Sequence, residues 1–325
     1  RLEMLTDAWH CDSSPRKGDA RVLAAILRGV NGWFEKDAQS ANWWWNQFGG
    51  PMSLGEILLR LKPVVDRDLL ERAVPHFKRL EPAFRFTGQN LMWAASILIR
   101  HGVLLDEPGI VSQGCQLIGN EVRIFADEEG IQPDMSFHQH GKVPYSGGYG
   151  QGFAYDGARC AWLMHGTPFA WPAHKLHLLA RYMKDGSAWM IRGRTFDYAM
   201  IGRETNRPDH SAERFFLGVS YMADMEHADR AVFAAMKSTG NVPGGSHVEG
   251  NRFFWCSDFL AHHRANAYYS VRLTSNRIEN TDWTCCNEGR HSHHIAEGAT
   301  FIMRDGDEYR DIFPVWNWRQ IPGTT

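Results

Sequence analysis

The chain has 325 residues, with 35 basic side chains against 37 acidic ones. That balance argues against a nucleic-acid binder with a broad basic face and leaves any anionic ligand to be held by local arginines. No apolar run reaches transmembrane length, so no membrane span is expected.

Aromatic and imidazole side chains are abundant, with 13 tryptophans, 9 tyrosines and 16 histidines. Such a composition suits a cleft for ligands with flat apolar faces, though most of the tryptophans are expected to pack helices. The six cysteines (Cys11, Cys115, Cys160, Cys256, Cys285 and Cys286) form no CxxC pair, which argues against a zinc ribbon. Adjacent Cys285 and Cys286 are poorly placed to bridge each other, and no disulfide pairing follows from the sequence. The chain opens at Arg1 without a methionine or a signal-peptide pattern; the expectation is that a leader lies in a missing N-terminus.

The first helix is predicted over residues 19–34, where Val22, Leu23, Ile26, Leu27 and Val30 recur on one side. NWWWNQFGGP follows, from Asn42 to Pro51. Three consecutive tryptophans cannot share one helix face, so at least one is expected to project outward as part of an aromatic platform; the alternative is packing alone. Ser53, in SLGE, has capping-box spacing for a helix through Leu61. Further helices are predicted over 67–77, with an interruption near Pro75, from Thr87 or Gly88 to Arg100, and over 108–127, 152–164, 173–183, 211–225 and 229–237. Helix after helix with short loops favours an α/α array.

From Asn251 the composition changes. RFFWCSDFLAHH, NAYYSVRLTS, GATFIMR and YRDIFPVWNW read as strands separated by turn residues. The boundary is placed in STGNVPGGS, giving a helical region over 1–240 and a β region over 241–325. About four to six strands before Thr325 would leave an open edge, so the C-terminus is expected to be truncated too.

The stretch DMSFHQHGKVPYSGGYG, from Asp134 to Gly150, sits inside the helical region, between the helices predicted over 108–127 and 152–164. It sets His138 and His140 ahead of Tyr145 and Tyr149, with Gly141, Gly147, Gly148, Gly150 and Gly152 in or beside it. Glycines permit tight turns and close approach to a ligand, and loops of this kind often carry function. The plain alternative is a surface loop whose rings fill a gap between helices.

Around this loop stand Asn90, His140, Tyr149 and the pair Arg203 and Arg207 in GRETNR. An amide, an imidazole, a phenol and two guanidiniums suit β-elimination from a uronic acid polysaccharide. The amide and imidazole can hydrogen-bond the sugar carboxylate as charge develops. A tyrosine whose pKa nearby cations lower from about 10 toward neutrality can take the α-proton and return it to the leaving oxygen. Arginines pair with carboxylate or sulfate, and no metal is required.

These segments resemble those of the polysaccharide lyase family of hyaluronate lyase, chondroitin AC lyase and xanthan lyase, family 8. NWWWNQFGGP, FRFTGQN, DMSFHQHGKVPYSGGYG, GRETNR and the terminal GDEYRDIFPVWNWRQIPGTT occur in the family's order from about residue 40 to 325. The resemblance implies an α+β multidomain fold, an incomplete (α/α) toroid followed by the start of an antiparallel β-sandwich. It implies that Asn90 binds the carboxylate, that His140 is the catalytic histidine, and that Tyr149 rather than Tyr145 is general base and acid. Arg203 and Arg207 would hold substrate and tune the tyrosine; Arg192 and Arg194 are an alternative pair at a poorer spacing. Trp43, Trp44 and Phe84 would stack on sugar rings, and Glu288 in CCNEG would be an acidic residue contributed by the β region.

The partner so implied is an anionic polysaccharide of the chondroitin sulfate or hyaluronan type, with xanthan as the alternative. Neither nucleic acid nor membrane is expected as a partner, and the protein is expected to act as a monomer, secreted or periplasmic. No cofactor is required; calcium would belong to parts of the β region not present here. Rival readings are a glycoside hydrolase using Asp134 and Glu204, and a non-catalytic sugar-binding module. In RHSHH, residues 290–294, His291 and His293 alternate as they would on one strand face, with no acidic partner at a recognisable distance to complete a metal site.

Overall fold

The computed structural model describes residues 1–80, 83–208, 211–240, 242–283 and 288–324; the side chains of Phe84 and Glu288 also lie outside the described set. The chain divides into two compact units. One comprises Arg1–Phe86 with Asn90–Ile118, the other Thr87–Gln89 with Gly119–Thr325.

The first unit is built from helices α1 (Leu2–His10), α2 (Ala20–Lys36), α3 (Gly50–Leu61), α4 (Arg67–Glu71), α5 (Val74–Phe77), most of α6 (Gly88–Leu105) and most of α7 (Pro108–Glu121). Helix α2 starts where Asp19 accepts a hydrogen bond from the Arg21 amide, which satisfies a backbone donor that the helix itself cannot. Its buried Ile26 and Val30 join Leu54, Leu58 and Leu61 of α3 and Ala94, Ile97 and Leu98 of α6 in one apolar core. Arg100 donates to Glu56 at 2.6 Å across that core's edge.

One sequence expectation changes here and another holds. Ser53 does not cap α3, because a π-helical turn over Trp45–Gly49 runs directly into a helix that begins at Gly50. The backbone donors near Ser53 are therefore already inside helical structure. The interruption expected near Pro75 is present, between α4 and α5, with the proline in the first turn of α5.

In the second unit, α8 (Tyr149–Met164), α9 (Ala173–Arg181), α10 (Glu213–Asp224) and α11 (Arg230–Thr239) precede the main sheet. Helix α8 begins three residues before its expected start, which makes Tyr149 its first residue. The stretch ahead of it is not a surface loop. It is a small antiparallel sheet of β1 (Gly130–Ile131), β2 (Phe137–Gln139) and β3 (Val143–Pro144), buried along β2. A hairpin of β4 (Ile191–Arg192) and β5 (Thr195–Phe196) follows.

The C-terminal sheet is an antiparallel meander of β6 (Gly250–Phe254), β7 (Phe259–Arg264), β8 (Ala267–Arg272) and β9 (Ala299–Met303). Alternation along β7 buries Phe259, Ala261 and His263 and turns Leu260 and Arg264 outward. On the buried side Asp197 accepts hydrogen bonds from Tyr268 (2.8 Å) and Ser270. The order of helices followed by antiparallel sheet is the one read from the sequence.

YRDIFPVWNW is not a strand. Pro314 lacks a ladder donor, and the rings instead pack in turns, Trp316 on Tyr198 at 5.7 Å and Trp318 on Phe313 at 5.0 Å. RHSHH is not a strand either; it lies in a 3₁₀ segment over Glu288–Ala296, kinked at Ser292. No described helix is long and apolar enough to cross a membrane.

Candidate active site

In the second unit the β2–β3 hairpin turns through His140, Gly141 and Lys142. His140 takes a φ of 57° and Gly141 a φ of 80°, so an imidazole stands at a left-handed turn position. Backbone held in that region at a non-glycine residue is a cost the surrounding structure must over-determine. The reason is visible in its contacts. His140 Nδ1 lies 2.6 Å from Oδ2 of Asp282, a carboxylate with no solvent exposure. A nitrogen that close to a carboxylate carries the proton and donates it, which fixes the tautomer and ring orientation.

Arg203 completes the arrangement. Its Nη1 donates to the same Asp282 oxygen at 3.1 Å, and its Nη2 donates to the Tyr149 hydroxyl at 3.4 Å. Its backbone N–H donates to the Tyr145 hydroxyl at 3.3 Å. Tyr149 stands edge-on to His140, with ring centres 4.8 Å apart, and edge-on to Tyr145 at 4.9 Å. Two glycines permit this packing. A Cβ on Gly202, whose φ is +58°, would lie 2.3 Å from the Tyr145 ring, and one on Gly148 would strike the same ring at 2.3 Å. Glu204 pairs with Arg207 at 3.1 Å.

The electrostatics differ from the sequence expectation. Burial pushes the Tyr149 hydroxyl above its ordinary value; Arg203 opposes this, Glu204 adds to it, and Arg207 opposes it again. The expected lowering toward neutrality is therefore corrected: the cations are present, but desolvation outweighs them. Tyr145 is driven higher still by burial. Its hydroxyl keeps its proton and serves as a fixed wall.

The structure thus brings together His140, Tyr149 and Arg203, with Arg207 held one carboxylate away. Asn90, third residue of α6 and half-buried, belongs to the first unit. So do the tryptophans. Trp43 and Trp45 face outward at 48% and 53% exposure, while Trp44 packs edge-on against Trp93 at 5.2 Å. Of the two tryptophans the sequence reading chose for stacking, Trp43 faces outward and Trp44 is half-buried, and Trp45 stands outward beside them. The side chains of Phe84 and Glu288, and all of Cys285 and Cys286, lie outside the described residues.

Several rival candidates fall to structural duties. Arg192 is buried and donates to three backbone carbonyls, of Arg304, Arg264 and Ala265. Arg194 lies over the Phe216 ring. Asp134 is buried and accepts from the Ser136 amide and hydroxyl and from the Cys256 amide, which leaves it a poor hydrolytic acid.

Asp282 is the residue that sequence reasoning missed. It stands 142 positions from His140, in an unremarked NTDW, and no local spacing marks it.

The sequence model of polysaccharide lyase family 8, N-terminal alpha-helical domain, matches residues 1–239, and that of the family 8 super-sandwich domain matches residues 249–325. The chain belongs to polysaccharide lyase family 8. It is 30% identical over 332 residues to a chondroitinase-AC of Pedobacter heparinus, an alignment covering 100% of this chain and 47% of that protein. It is 28% identical over 178 residues to a xanthan lyase of a Bacillus species, covering 52% of this chain and 19% of that protein. A solved structure of chondroitinase AC lyase with oligosaccharides superposes with a TM-score of 0.92 at 27% identity, covering 99% of this chain and 48% of the other. The chain spans about half the length of these chondroitinase relatives.

Proposed function

We propose that this chain carries the catalytic site of a polysaccharide lyase that cleaves a uronic-acid polysaccharide of the chondroitin sulfate or hyaluronan type by β-elimination, leaving a 4,5-unsaturated uronate. The observation that carries the reading is the convergence of Tyr149, His140 and Arg203 around one buried carboxylate.

The chemistry follows from the positions. The Tyr149 phenolate takes the proton α to the sugar carboxylate. The electron pair forms the new carbon–carbon double bond as the bond to the 4-linked oxygen breaks, and the phenol returns its proton to that oxygen. Burial makes the phenolate a minor species at neutral pH, and Arg203, donating to the hydroxyl, is the group that keeps it accessible. His140 meets the substrate carboxylate through Nε2, since Nδ1 is committed to Asp282. Asp282 acts through His140 and Arg203 and is a positioning residue. Asn90 is assigned the carboxylate-binding amide, Arg207 substrate binding, Glu288 an acidic role near the site, and Trp43 with Trp44 and Phe84 the stacking surface. Each role falls to a side chain, and the reading calls for no cofactor.

We assign residues 1–240 to the catalytic domain and 241–325 to the first strands of a sandwich domain. A secreted or periplasmic monomer fits a polymeric substrate that cannot enter a cell. The alignment to a chondroitinase-AC along the whole of this chain, against an alignment to a xanthan lyase along about half of it, supports the chondroitin type over xanthan.

The test offers chondroitin sulfate, hyaluronan and xanthan separately and follows the ultraviolet absorbance of unsaturated uronates, for the parent protein and Tyr149→Phe. A rise on chondroitin sulfate or hyaluronan that vanishes in the variant is expected. Sugar release without the chromophore would overturn the elimination.

A further inference from the structure

We propose that His293, His294 and Glu297 form a binding site for a divalent transition metal of the zinc type, on the segment that braces Asp282. The sequence suggested alternate histidines on a strand, without an acidic partner. The 3₁₀ segment rearranges that pattern. It brings the adjacent His293 and His294 to one side, and one turn later it supplies Glu297 as the missing acid.

One donor atom from each of the three side chains lies within 4.8 Å of the others. His294 Nδ1 sits 2.6 Å from one Glu297 oxygen, and His293 Nε2 sits 3.8 Å from the other. A tetrahedral zinc with bonds of about 2.0–2.1 Å needs ligand atoms about 3.3 Å apart, so the His294–Glu297 pair opens slightly while the wider pairs close. These side chains are free to make that adjustment, because all three are partly exposed and hang from the outer side of the segment. The two imidazole planes stand at 81° to each other, which lets two ring nitrogens approach one centre from different directions. Two imidazoles and one carboxylate, with a water in the fourth position, select zinc-like ions over calcium, which takes oxygen ligands in larger number.

The location gives the site a structural consequence. Inward of the ligands, Ser292 Oγ and Thr281 Oγ1 both donate to the Gly289 carbonyl at 2.9 Å. Gly289 is packed so closely that a Cβ there would lie 1.9 Å from the Asp282 carbonyl oxygen. Beyond the ligands, the Gly298 amide donates to Arg272 O at 2.9 Å, anchoring the far end to the sheet. A metal that ties residues 293, 294 and 297 together therefore stiffens the support of the residue that orients His140.

Metal binding is independent of the proposed reaction and is tested without a substrate. The full chain is titrated calorimetrically with Zn²⁺, alongside His294→Ala and Glu297→Gln, and the melting temperature is followed with and without the ion. One equivalent that weakens at least tenfold in each variant is expected, since removing a ligand costs at least what removing an outer-shell partner does, about 10–100-fold. Zn²⁺ should raise the melting temperature of the parent and not that of the variants. Co²⁺ should give visible absorption of tetrahedral form in the parent that is lost in both variants, whose folding circular dichroism checks. Unchanged stoichiometry and affinity in the variants would overturn the site, as would Ca²⁺ competing equally with Zn²⁺.

Discussion

Two regions a few residues apart in the central hairpin use the same chemical parts to opposite ends. On one side of β2, His138 Nε2, Ser257 Oγ, Ser136 Oγ and Asp134 form a closed chain, with links of 2.9, 2.7 and 2.7 Å. Each hydroxyl donates once and accepts once, and the carboxylate receives two further amides, from Ser136 and Cys256. Burial lowers His138 to a pKa of about 4. At the turn that follows β2, His140 also meets a buried carboxylate, but Asp282 is shared with Arg203, which reaches on to the Tyr149 phenol. The first chain ends in the core. The second ends on a group able to exchange a proton. A histidine near a carboxylate is therefore not a functional signal in itself; what lies at the end of its hydrogen-bond chain decides.

The largest expected break of this comparison is Tyr149→Phe, which should lower elimination by on the order of 10²–10⁴ in kcat, the range of a positioned acid–base group. His138→Gln in the same assay should leave kcat within a few-fold. Next comes Asp282→Asn, which keeps the volume but loses the charge that holds His140 and Arg203. A fall of about 10–100-fold in kcat with a smaller change in KM is expected, as for groups that orient a functional histidine. Loss of the circular-dichroism signal together with activity would instead place Asp282 in folding alone.

Stability should separate the regions along the pH axis. His138 and His263 are buried neutral, each lowered to about 4 from the ordinary 6.5. A depressed histidine contributes stability that is present above about 6.5 and lost as pH falls toward 4, on the order of 3 kcal/mol for each. Chemical denaturation at pH 7 and pH 5 should show part of that loss, about 2 kcal/mol for each histidine, and His138→Gln should reduce it. The smallest effect concerns the tyrosine's surroundings. Glu204 raises Tyr149 and Arg203 lowers it. Glu204→Gln should move the acidic limb of the pH–kcat profile down, by about one unit or less, and Arg203→Lys should move it up. Shifts of the same sign in both would refute the assignment of that limb to Tyr149.

Much of this was legible from the sequence because it was written locally. Helical spacing in α2, α6 and α10 records a single buried face, and alternation in β7 records another. His140, Tyr149 and Arg203 stand in short segments dense with glycine, where backbone geometry is the constraint. The failures share a cause too. Ser53 carries a correct cap signal that an upstream π-turn overrides. The tryptophans near residue 316 look like strand residues because rings that fill gaps between turns have the same composition. Asp282 was invisible because its partners lie 79 and 142 residues away.

That separation also sets an order in time. A ribosome finishes Tyr149 and Arg203 well before it reaches residue 282, the source of the carboxylate that holds His140 and Arg203 together. Until then the His140 ring has nothing to hold it at its turn. The proton-transfer cluster therefore cannot be complete until residue 282 has been added and brought back to the central hairpin.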